Sequence, residues 1–430
     1  MARPAAGAGR QARVAGLLVA VLAGACASQG EPPGGPIRTK APDVLRVVPE
    51  SGAIVPALKG DAIIQFDEVI DENPPSGGSS GTISGLARQI VLSPVAGEVK
   101  VSWHRSSIHV RPDEGWKPNR AYHLELVPGI ADLRRNVTKT GKMIEFSTGG
   151  PLPKAAIRGT VLLWVEQRAL PQAVIRAVPL PDTVPYLTLT DSAGDFRLSD
   201  VPPGRYLVQA IQDQNNNRRL DRREAFDTLT IPVDSAASAV LWVFLHDSVG
   251  PKVRSVDPVD SVALRVVFSQ PLDPRRPLDT AQVRVLALPD STPVPVRAFY
   301  STAQYDSIQA RARAVADSLR RARDTTARRD TARARPAPPA GAPARGPRGD
   351  TTAARVDTAR VHRLLAQRPV PADRLVVATT RPLVPGAKYL VRVLGAINLN
   401  GVRGDGQGVL VMPAAKPAPK RAARDSSKAP

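Results

Sequence analysis

The chain has 430 residues, 42% of them apolar, which is enough for several buried cores and for about three domains of ordinary size. Aromatic residues make up only 4% and there are 43 prolines, a composition that disfavours long helices and favours short strands joined by turns. The net charge of +20 lies mostly in residues 1–25, 306–370 and 413–430, which leaves about +4 for the remainder. The basic charge therefore does not indicate a nucleic-acid groove, and no aromatic residues alternate with the arginines to stack on bases.

The first 25 residues have the pattern of an export signal. Three arginines precede the apolar run Val14–Leu22, which is too short to span a bilayer. The only cysteine, Cys26, follows Ala23-Gly24-Ala25, and this stretch resembles the cleavage box of bacterial lipoproteins. The resemblance implies that Cys26 becomes the lipidated first residue; an ordinary signal peptide with an incidental cysteine is the alternative.

Residues 26–41 are rich in Gly, Pro and polar residues, and they are predicted to tether the first domain to the membrane. Ala27 and Ser28 follow the cysteine, with no aspartate. By resemblance to lipoprotein sorting, this implies an exported, membrane-anchored protein of the outer membrane or cell surface.

Residues 42–150 contain short apolar runs with turn residues between them, the pattern of half-buried strands in a β-sandwich. The runs are VLRVVP, AIIQF, QIVL, EVKVSW, IHVRP, YHLELV and MIEFST.

A second region, residues 250–412, repeats this plan and suggests an internal duplication. The matching pairs are Phe66…Asp71 with Phe268…Asp273, and Pro118…Tyr122 with Pro385…Tyr389. These motifs resemble the bacterial Ig-like domain of surface-layer and cell-surface proteins. We expect the two phenylalanines to fill cores and the two aspartates to cap turns.

Residues 151–249 differ from both. IRGTVLLW and AVIRAV read as strands, and TDSAGDFRLSDVPPGRYLVQ resembles the prealbumin-like module found beside carboxypeptidases, where it is an accessory without catalytic residues. Asp191–Gly194 is expected to form a hairpin turn, and Phe196 and Leu198 to share one strand face.

A basic insertion, residues 301–369, interrupts the third domain. Ala and Arg in excess predict a helix from about Ser307 to Arg323, although its apolar residues are too few to pack a stable face. A Pro/Gly/Ala-rich disordered stretch follows, then a short helix in DTARVHRLLAQ, while 413–430 is expected to be a disordered basic tail. The insertion is either a solvated low-complexity run or a contact for anionic lipid, lipopolysaccharide or wall polymer.

One loop has the spacing of a calcium site. Residues with side-chain oxygens occupy positions 1, 3, 5, 9 and 12 of an EF-hand-like run: Asp213, Asn215, Asn217, Asp221 and Glu224. Arg218 stands where the motif has Gly, and four arginines surround the carboxylates. The alternatives are a structural calcium ion and an Asx-rich turn bonded to its own backbone.

The motifs of enzymes are weak. Gly77–Gly81 fits G-x-S-x-G but lacks the strand–turn–helix frame, and Gly404–Gly408 reads as a turn before the last strand. His104, His109 and His123 have no metal-binding spacing and are expected to be surface histidines. The four tryptophans suit sandwich cores or, less simply, a sugar-binding face: Trp103, Trp116, Trp164 and Trp242.

The sequence thus predicts an all-β protein of three β-sandwich modules, Ig-like, prealbumin-like and Ig-like, with a disordered and partly helical basic insertion. The expected function is a non-catalytic envelope lipoprotein that acts as a structural, adhesive or docking module. A polysaccharide-binding module and an accessory subunit of an envelope enzyme or export machine are the alternatives.

Overall fold

A computed structural model describes residues 39–73, 83, 85–327 and 358–414. Within these ranges the chain forms 23 strands and two α-helices, so the all-β prediction is confirmed. None of the helices in these ranges is long and apolar enough to cross a membrane. The predicted export signal, Cys26, the Gly77–Gly81 loop, the centre of the insertion and most of the tail lie outside the described residues.

The N-terminal sandwich consists of seven strands, one for each predicted apolar run. They are β1 Val44–Val48, β2 Ala62–Phe66, β3 Ile90–Ser93, β4 Val99–His104, β5 Ser107–Pro112, β6 Ala121–Leu126 and β7 Lys142–Ser147. They form two antiparallel sheets, in the orders β1-β2-β5-β4 and β3-β6-β7. Alternate residues of β2 are buried, and Ile64 and Phe66 pack against Leu124 and Phe146 of the facing sheet.

The middle sandwich consists of eight strands, seven of them in one hydrogen-bonded path. They are β8 Ala155–Leu163, β9 Arg168–Ala169, β10 Val174–Leu180, β11 Tyr186–Leu189, β12 Asp195–Val201, β13 Gly204–Ile211, β14 Ala225–Val233 and β15 Ala236–Leu245. The order is β11-β10-β13-β14-β15-β8-β12, with β9 paired to β8. Strands β14 and β15 pair only at Ala225–Leu245 and Phe226–Phe244, so the sheet folds over at this corner. Its two halves enclose one core, which contains Phe196, Leu198 and Tyr206.

The turn at Asp191–Gly194 forms, but the prediction that it closes a hairpin is wrong. The Gly194 N–H donates to the Asp191 carbonyl over 3.1 Å, and Gly194 has a positive φ of 76°. However, β11 pairs with β10 and β12 pairs with β8. The Gly194 carbonyl accepts from the Val161 N–H of β8, so the turn carries the chain from one half of the sandwich to the other.

The C-terminal sandwich repeats the strand order of the N-terminal one. Its strands are β16 Val253–Asp260, β17 Ala263–Leu272, β18 Val283–Leu288, β19 Thr292–Val294, β20 Val296–Tyr300, β21 Ala372–Thr379, β22 Lys388–Ile397 and β23 Arg403–Val411. The order β16-β17-β21-β20 corresponds to β1-β2-β5-β4, and β18-β22-β23 corresponds to β3-β6-β7 with β19 added at the edge. The shared topology supports an internal duplication.

The repeated motifs also make matching contacts. The Tyr122 hydroxyl accepts from the Lys117 N–H over 2.8 Å, and the Tyr389 hydroxyl accepts from the Val384 N–H over 2.7 Å. Phe66 and Phe268, the phenylalanines of the motif, are both buried. The aspartates accept N–H groups two residues ahead, Asp71 from Asn73 and Asp273 from Arg275, as expected of residues that cap a turn.

The basic insertion enters between β20 and β21, the place of the two-residue turn between β4 and β5 in the first copy. Helix α1 spans Thr302–Ala327 and helix α2 spans Thr358–Leu365, so both predicted helices are present. Since closure entropy grows slowly with loop length, a hairpin turn at the surface is a tolerant place for a long insertion.

Gly404–Gly408 lies inside β23, so the prediction of a turn there is wrong. Glycines at alternate positions face β16, where the backbones approach closely. A Cβ atom would lie 2.3 Å from the Pro251 carbonyl oxygen at Gly404, and 2.4 Å from the Val253 nitrogen at Gly406. The glycines are needed because the edge strands of the two sheets meet here without room for side chains.

Candidate functional site: the junctions between the sandwiches

The five predicted calcium ligands lie together in the loop between β13 and β14. Their polar atoms bond one another and the loop backbone. Asp213 accepts from the N–H groups of Asn217 and Arg218 over 3.2 and 2.8 Å. One oxygen of Asp221 accepts from the side-chain amides of Asn215 and Asn217 over 2.5 and 2.9 Å. Glu224 accepts from the N–H groups of Gln214 and Asp221.

This hydrogen-bonded arrangement does not fit a metal ion as it stands. In the part of the chain that the structure describes, no three or more His, Cys, Asp or Glu side chains are grouped so that they could hold one. The oxygens of Asp213 and Glu224 are directed to backbone N–H groups of the loop. The residues therefore shape the loop, and calcium at this position stays a prediction.

Arg218, at the motif position usually taken by glycine, joins the loop to the N-terminal sandwich. Its φ is 56°, in the left-handed region that glycine adopts most readily. The guanidinium donates to the carbonyls of Ile90 over 2.5 Å, Arg88 over 2.7 Å and Ala87 over 3.4 Å. These carbonyls lie at and just after the C-terminal end of the 3-10 helix Gly85–Gln89, where a cation is favoured. Burial lowers the pKa of Arg218 to about 10, so it stays charged at neutral pH.

Two edge strands, β3 of the N-terminal sandwich and β11 of the middle sandwich, meet at the same junction. The Leu187 N–H donates to the Ser93 hydroxyl over 2.9 Å. The Thr188 hydroxyl donates to the Glu125 carboxylate over 2.8 Å. Burial raises the pKa of Glu125, while this hydrogen bond lowers it. Each edge strand thus covers backbone N–H and C=O groups of the other that could otherwise pair with a strand of another molecule.

His123 is buried in this junction with 1% of its surface exposed, so the prediction that it lies at the surface is wrong. Its Nε2 lies 3.4 Å from the Asp200 carbonyl oxygen, and its ring centroid lies 5.0 Å from that of Tyr186. Burial lowers the pKa of His123 to about 4, so the imidazole is neutral at pH 7. The other two candidate histidines, His104 and His109, lie on β4 and β5 of the other sheet, and their ring centroids are 4.2 Å apart.

A cavity of about 410 Å³ opens beside this junction, between β6, β7, β11 and β12. Its lining includes the carboxylates of Glu125, Glu145, Asp191 and Asp195. Burial raises the pKa of Glu145, and the nearby Asp200 carboxylate adds to that rise. Among the described residues, neither a histidine nor a cysteine lines this cavity.

The second junction, between the middle and C-terminal sandwiches, is centred on Asn398, which is 1% exposed. Its amide nitrogen lies 3.1 Å from each of three acceptors, the carbonyls of Asp247 and Val249 and the side-chain oxygen of Gln270. Its amide oxygen accepts from the N–H groups of Asn400 and Val402. One side chain thus fixes the connecting segment 246–250 against the C-terminal sandwich.

The end of the basic insertion crosses this junction as a return arm, defined as residues 358–369. Arg360 donates to the Asp195 carboxylate over 2.7 Å and to the Thr160 hydroxyl over 2.6 Å. Leu365 is buried in a cluster with Trp164 and Trp242 of the middle sandwich.

The return arm ends over the two buried tryptophans. The Arg368 guanidinium lies 4.8 Å from the Trp242 ring and 5.5 Å from the Trp164 ring. The Trp164 indole N–H donates to the Pro369 carbonyl over 3.1 Å. Leu399 of the C-terminal sandwich belongs to the same apolar cluster, so the arm, the middle sandwich and the C-terminal sandwich meet at one place.

The other two tryptophans also serve internal packing. The Trp103 indole donates to the carbonyls of Ile70 and Arg105, and the Trp116 indole to that of Gly60. Trp116 packs edge-on against Tyr122 at 4.9 Å. The prediction of core roles for the tryptophans fits these contacts better than a sugar-binding face does.

Sequence reasoning missed the residues that build the junctions: Arg218, Asn398 and the arginines of the return arm. The role of Arg218 could have been suspected from the sequence, because a bulky residue is unusual at the glycine position of an EF-hand-like loop. Asn398 stands in Asn398-Leu-Asn400 at the end of an apolar strand, a pattern that suggests only a turn. The return arm had no local signal, since its partners lie about 200 residues earlier in the chain.

Comparison with known proteins relates one part of the chain to a family. Residues 38–148, about a quarter of the chain, match the family model described as bacterial Ig-like domain. No curated protein matches the chain.

Solved structures that resemble the chain include proteins of bacterial surfaces. The N-terminal part of the bacterial S-layer protein SbsC is 13% identical, with a TM-score of 0.22, over 40% of this chain and 25% of that one. BcpA, the major pilin subunit of Bacillus cereus, is 10% identical, with a TM-score of 0.18, over 48% and 71%. The chain spans only about a quarter of the SbsC structure, and similarity at these scores carries no argument about function. The match to a bacterial Ig-like domain therefore applies to the N-terminal sandwich.

Proposed function

We propose that this chain is a non-catalytic scaffold of the bacterial cell envelope that holds three β-sandwiches in a fixed arrangement for docking or adhesion. The observation that carries the proposal is the construction of the junctions. Three side chains make contacts across the junctions between sandwiches. Arg218 and Asn398 form hydrogen bonds there, and Arg368 stacks on a tryptophan. Domains that move independently on a linker have no use for buried polar contacts of this kind.

The proposal includes export and lipid attachment at Cys26, at the outer membrane or cell surface. Its support is the basic start, the short apolar run and the small residues before the single cysteine. Growth with a fatty-acid analogue should label the wild-type chain and leave Cys26→Ala unlabelled and released from the membrane fraction. Equal labelling of both chains would remove the anchor from the proposal.

The docking role is tested by recovering partners of the tagged full chain from detergent-solubilised envelope. A scaffold that presents a composite surface should lose its partner when Asn398→Ala loosens one junction. Asn400→Ala is the matched control, since it removes a single hydrogen bond to the same carbonyl. Recovery of the same partner by both variants would show that the fixed arrangement is not needed for docking.

Binding of an anionic envelope polymer is the second candidate, and the basic insertion supports it with fifteen arginines and six aspartates in residues 306–370. Deletion of residues 328–357 removes basic residues but keeps both α1 and the return arm. Loss of retention on wall-polymer or lipopolysaccharide beads in this variant would favour the polymer. Recovery of an envelope enzyme or export complex as the defined partner would favour an accessory subunit.

A further inference from the structure

We propose that helix α1 is a membrane-binding surface for anionic lipid, separate from the predicted anchor at Cys26. Its large apolar residues form an apolar stripe, Ile308, Val315 and Leu319, with exposed fractions of 44%, 58% and 60%. Spacings of seven and four residues place the three side chains within about 20° of one helix face. Three exposed aliphatic side chains on one helix face form a surface that an apolar partner can cover.

The helix is rigidly attached at its N-terminal end. Ser301 and Gln304 exchange hydrogen bonds as a capping box. Tyr305 is buried against the C-terminal sandwich, and its hydroxyl donates to the Asp260 carboxylate over 2.5 Å. Every residue from Ala310 to Arg321 is exposed, so the stripe is presented to solvent from a fixed base.

The charges around the stripe indicate which partner it fits. Arg311 lies about 60° from the centre of the stripe on one side, and Arg320 about 120° on the other. Arg313 and Arg321 lie about 140° away. Asp306 and Asp317 lie about 160–180° away, so both acidic residues of 306–321 are on the far face. Long arginine side chains beside an apolar row can reach lipid phosphates while the aliphatic groups enter the bilayer.

Two other partners suit these features less well. A second copy of α1 packed in parallel along the stripe would bring Arg311 close to the same residue of its neighbour. In either orientation, three large apolar residues are fewer than a stable coiled coil uses. A soluble polyanion would engage the arginines but leave the aliphatic residues exposed. An anionic bilayer satisfies both sets of side chains, and this conclusion does not depend on the proposed scaffold function.

The test is co-sedimentation of the full chain carrying Cys26→Ala with vesicles of phosphatidylcholine, with and without phosphatidylglycerol. Binding should require phosphatidylglycerol and weaken with salt. The double variant Val315→Ser, Leu319→Gln should bind about tenfold or more weakly, because two aliphatic side chains no longer enter the bilayer. Ala310→Gln with Ala314→Gln, on the opposite side of α1, is the control and should bind as the parent does.

The rest of the insertion and the N-terminal segment are identical in these chains, so any binding they contribute cancels in the comparison. Circular dichroism checks that both variants keep α1. Equal binding of stripe and control variants, or binding that ignores phosphatidylglycerol, would overturn the proposal. A dimer in sedimentation velocity that the stripe variant loses would assign the surface to a second copy and would also overturn it.

Discussion

At the scale of single residues, Asn398 is the most constrained polar side chain of the second junction. Its amide nitrogen shares two N–H groups among three acceptors, and its amide oxygen accepts from two N–H groups, while 1% of the residue is exposed. Asn398→Ala should lower the free energy of unfolding by about 3 kcal/mol, because several buried polar groups lose their partner together. Urea unfolding of the two variants measures this. Asn400→Ala, with one bond lost, should cost about 1 kcal/mol; equal costs would contradict the role given to Asn398.

His123 gives the N-terminal junction a dependence on pH. Its pKa is about 4 when folded, below the ordinary value of 6.5, so the unfolded chain binds a proton more readily between these values. The contribution of His123 to the free energy of unfolding is therefore greatest above pH 6.5. It falls by up to about 3 kcal/mol as the pH drops through 4.

The measurement is the free energy of unfolding of wild type and His123→Leu between pH 7 and 4. The difference between the two isolates His123 from the carboxylates, because Glu125 and Glu145 have raised pKa values and act in the opposite direction. The wild type should lose stability relative to the variant as the pH falls. A constant difference would mean that His123 is not held neutral in the junction.

The calcium prediction also belongs to this scale. Occupation of the loop would require the amides of Asn215 and Asn217 to rotate and turn their oxygens inwards, away from the bonds they now make to Asp221. If calcium binds, millimolar concentrations should raise the melting temperature, as for any ligand of the folded state. Asp221→Asn should abolish the rise, while Asp227→Asn, on the neighbouring strand, should keep it. A melting temperature unchanged by calcium would end the prediction.

At the scale of elements, the strands of the Ig-like copies could be predicted closely, because each is a short apolar run between turn residues. The helix predicted for Ser307–Arg323 extends to Thr302–Ala327, since its capping residues lie outside the Ala/Arg-rich part. The alternating glycines of β23 wrongly predict a turn. Their period of two fits one face of a strand, and the need for glycine becomes visible only when β16 lies against it.

The turn at Asp191–Gly194 shows another limit of sequence reasoning. Local chemistry predicts the turn, but β12 pairs with β8, whose residues lie at least 35 positions earlier in the chain than their partners. The position of the return arm is further from prediction still. Its apolar and charged residues could pack on many surfaces. Its actual position depends on contacts with Trp164, Trp242 and Asp195 of the middle sandwich.

The return arm should detach when its apolar contact is removed. Leu365 is 5% exposed among the tryptophans, and Leu365→Ala should cost about 2–3 kcal/mol. We expect a red shift of tryptophan fluorescence and faster proteolysis near residues 358–369. Arg363→Ala, an exposed position on the same helix, is the control and should change neither signal. Unchanged fluorescence in Leu365→Ala would show that the arm does not hold the tryptophans away from water.

At the scale of the whole molecule, the chain is a series of sandwiches whose boundaries carry specific contacts. A terminal copy of the repeated sandwich lies on each side of the middle one, and each boundary has its own buried polar group, His123 at one and Asn398 at the other. The inserted arm adds a second connection at the second boundary only. These contacts account for one fixed arrangement, which is what a scaffold needs and what flexible tethers lack.

The distance between the terminal sandwiches tests this claim most directly. Spin labels at Lys100→Cys on β4 and Arg284→Cys on β18, both exposed positions, can be introduced into a Cys26→Ala chain and measured by pulsed electron resonance. A fixed arrangement gives one narrow distance distribution, broadened by Arg218→Ala or Asn398→Ala but not by Arg219→Ala. A broad distribution in the chain with intact junctions would contradict it.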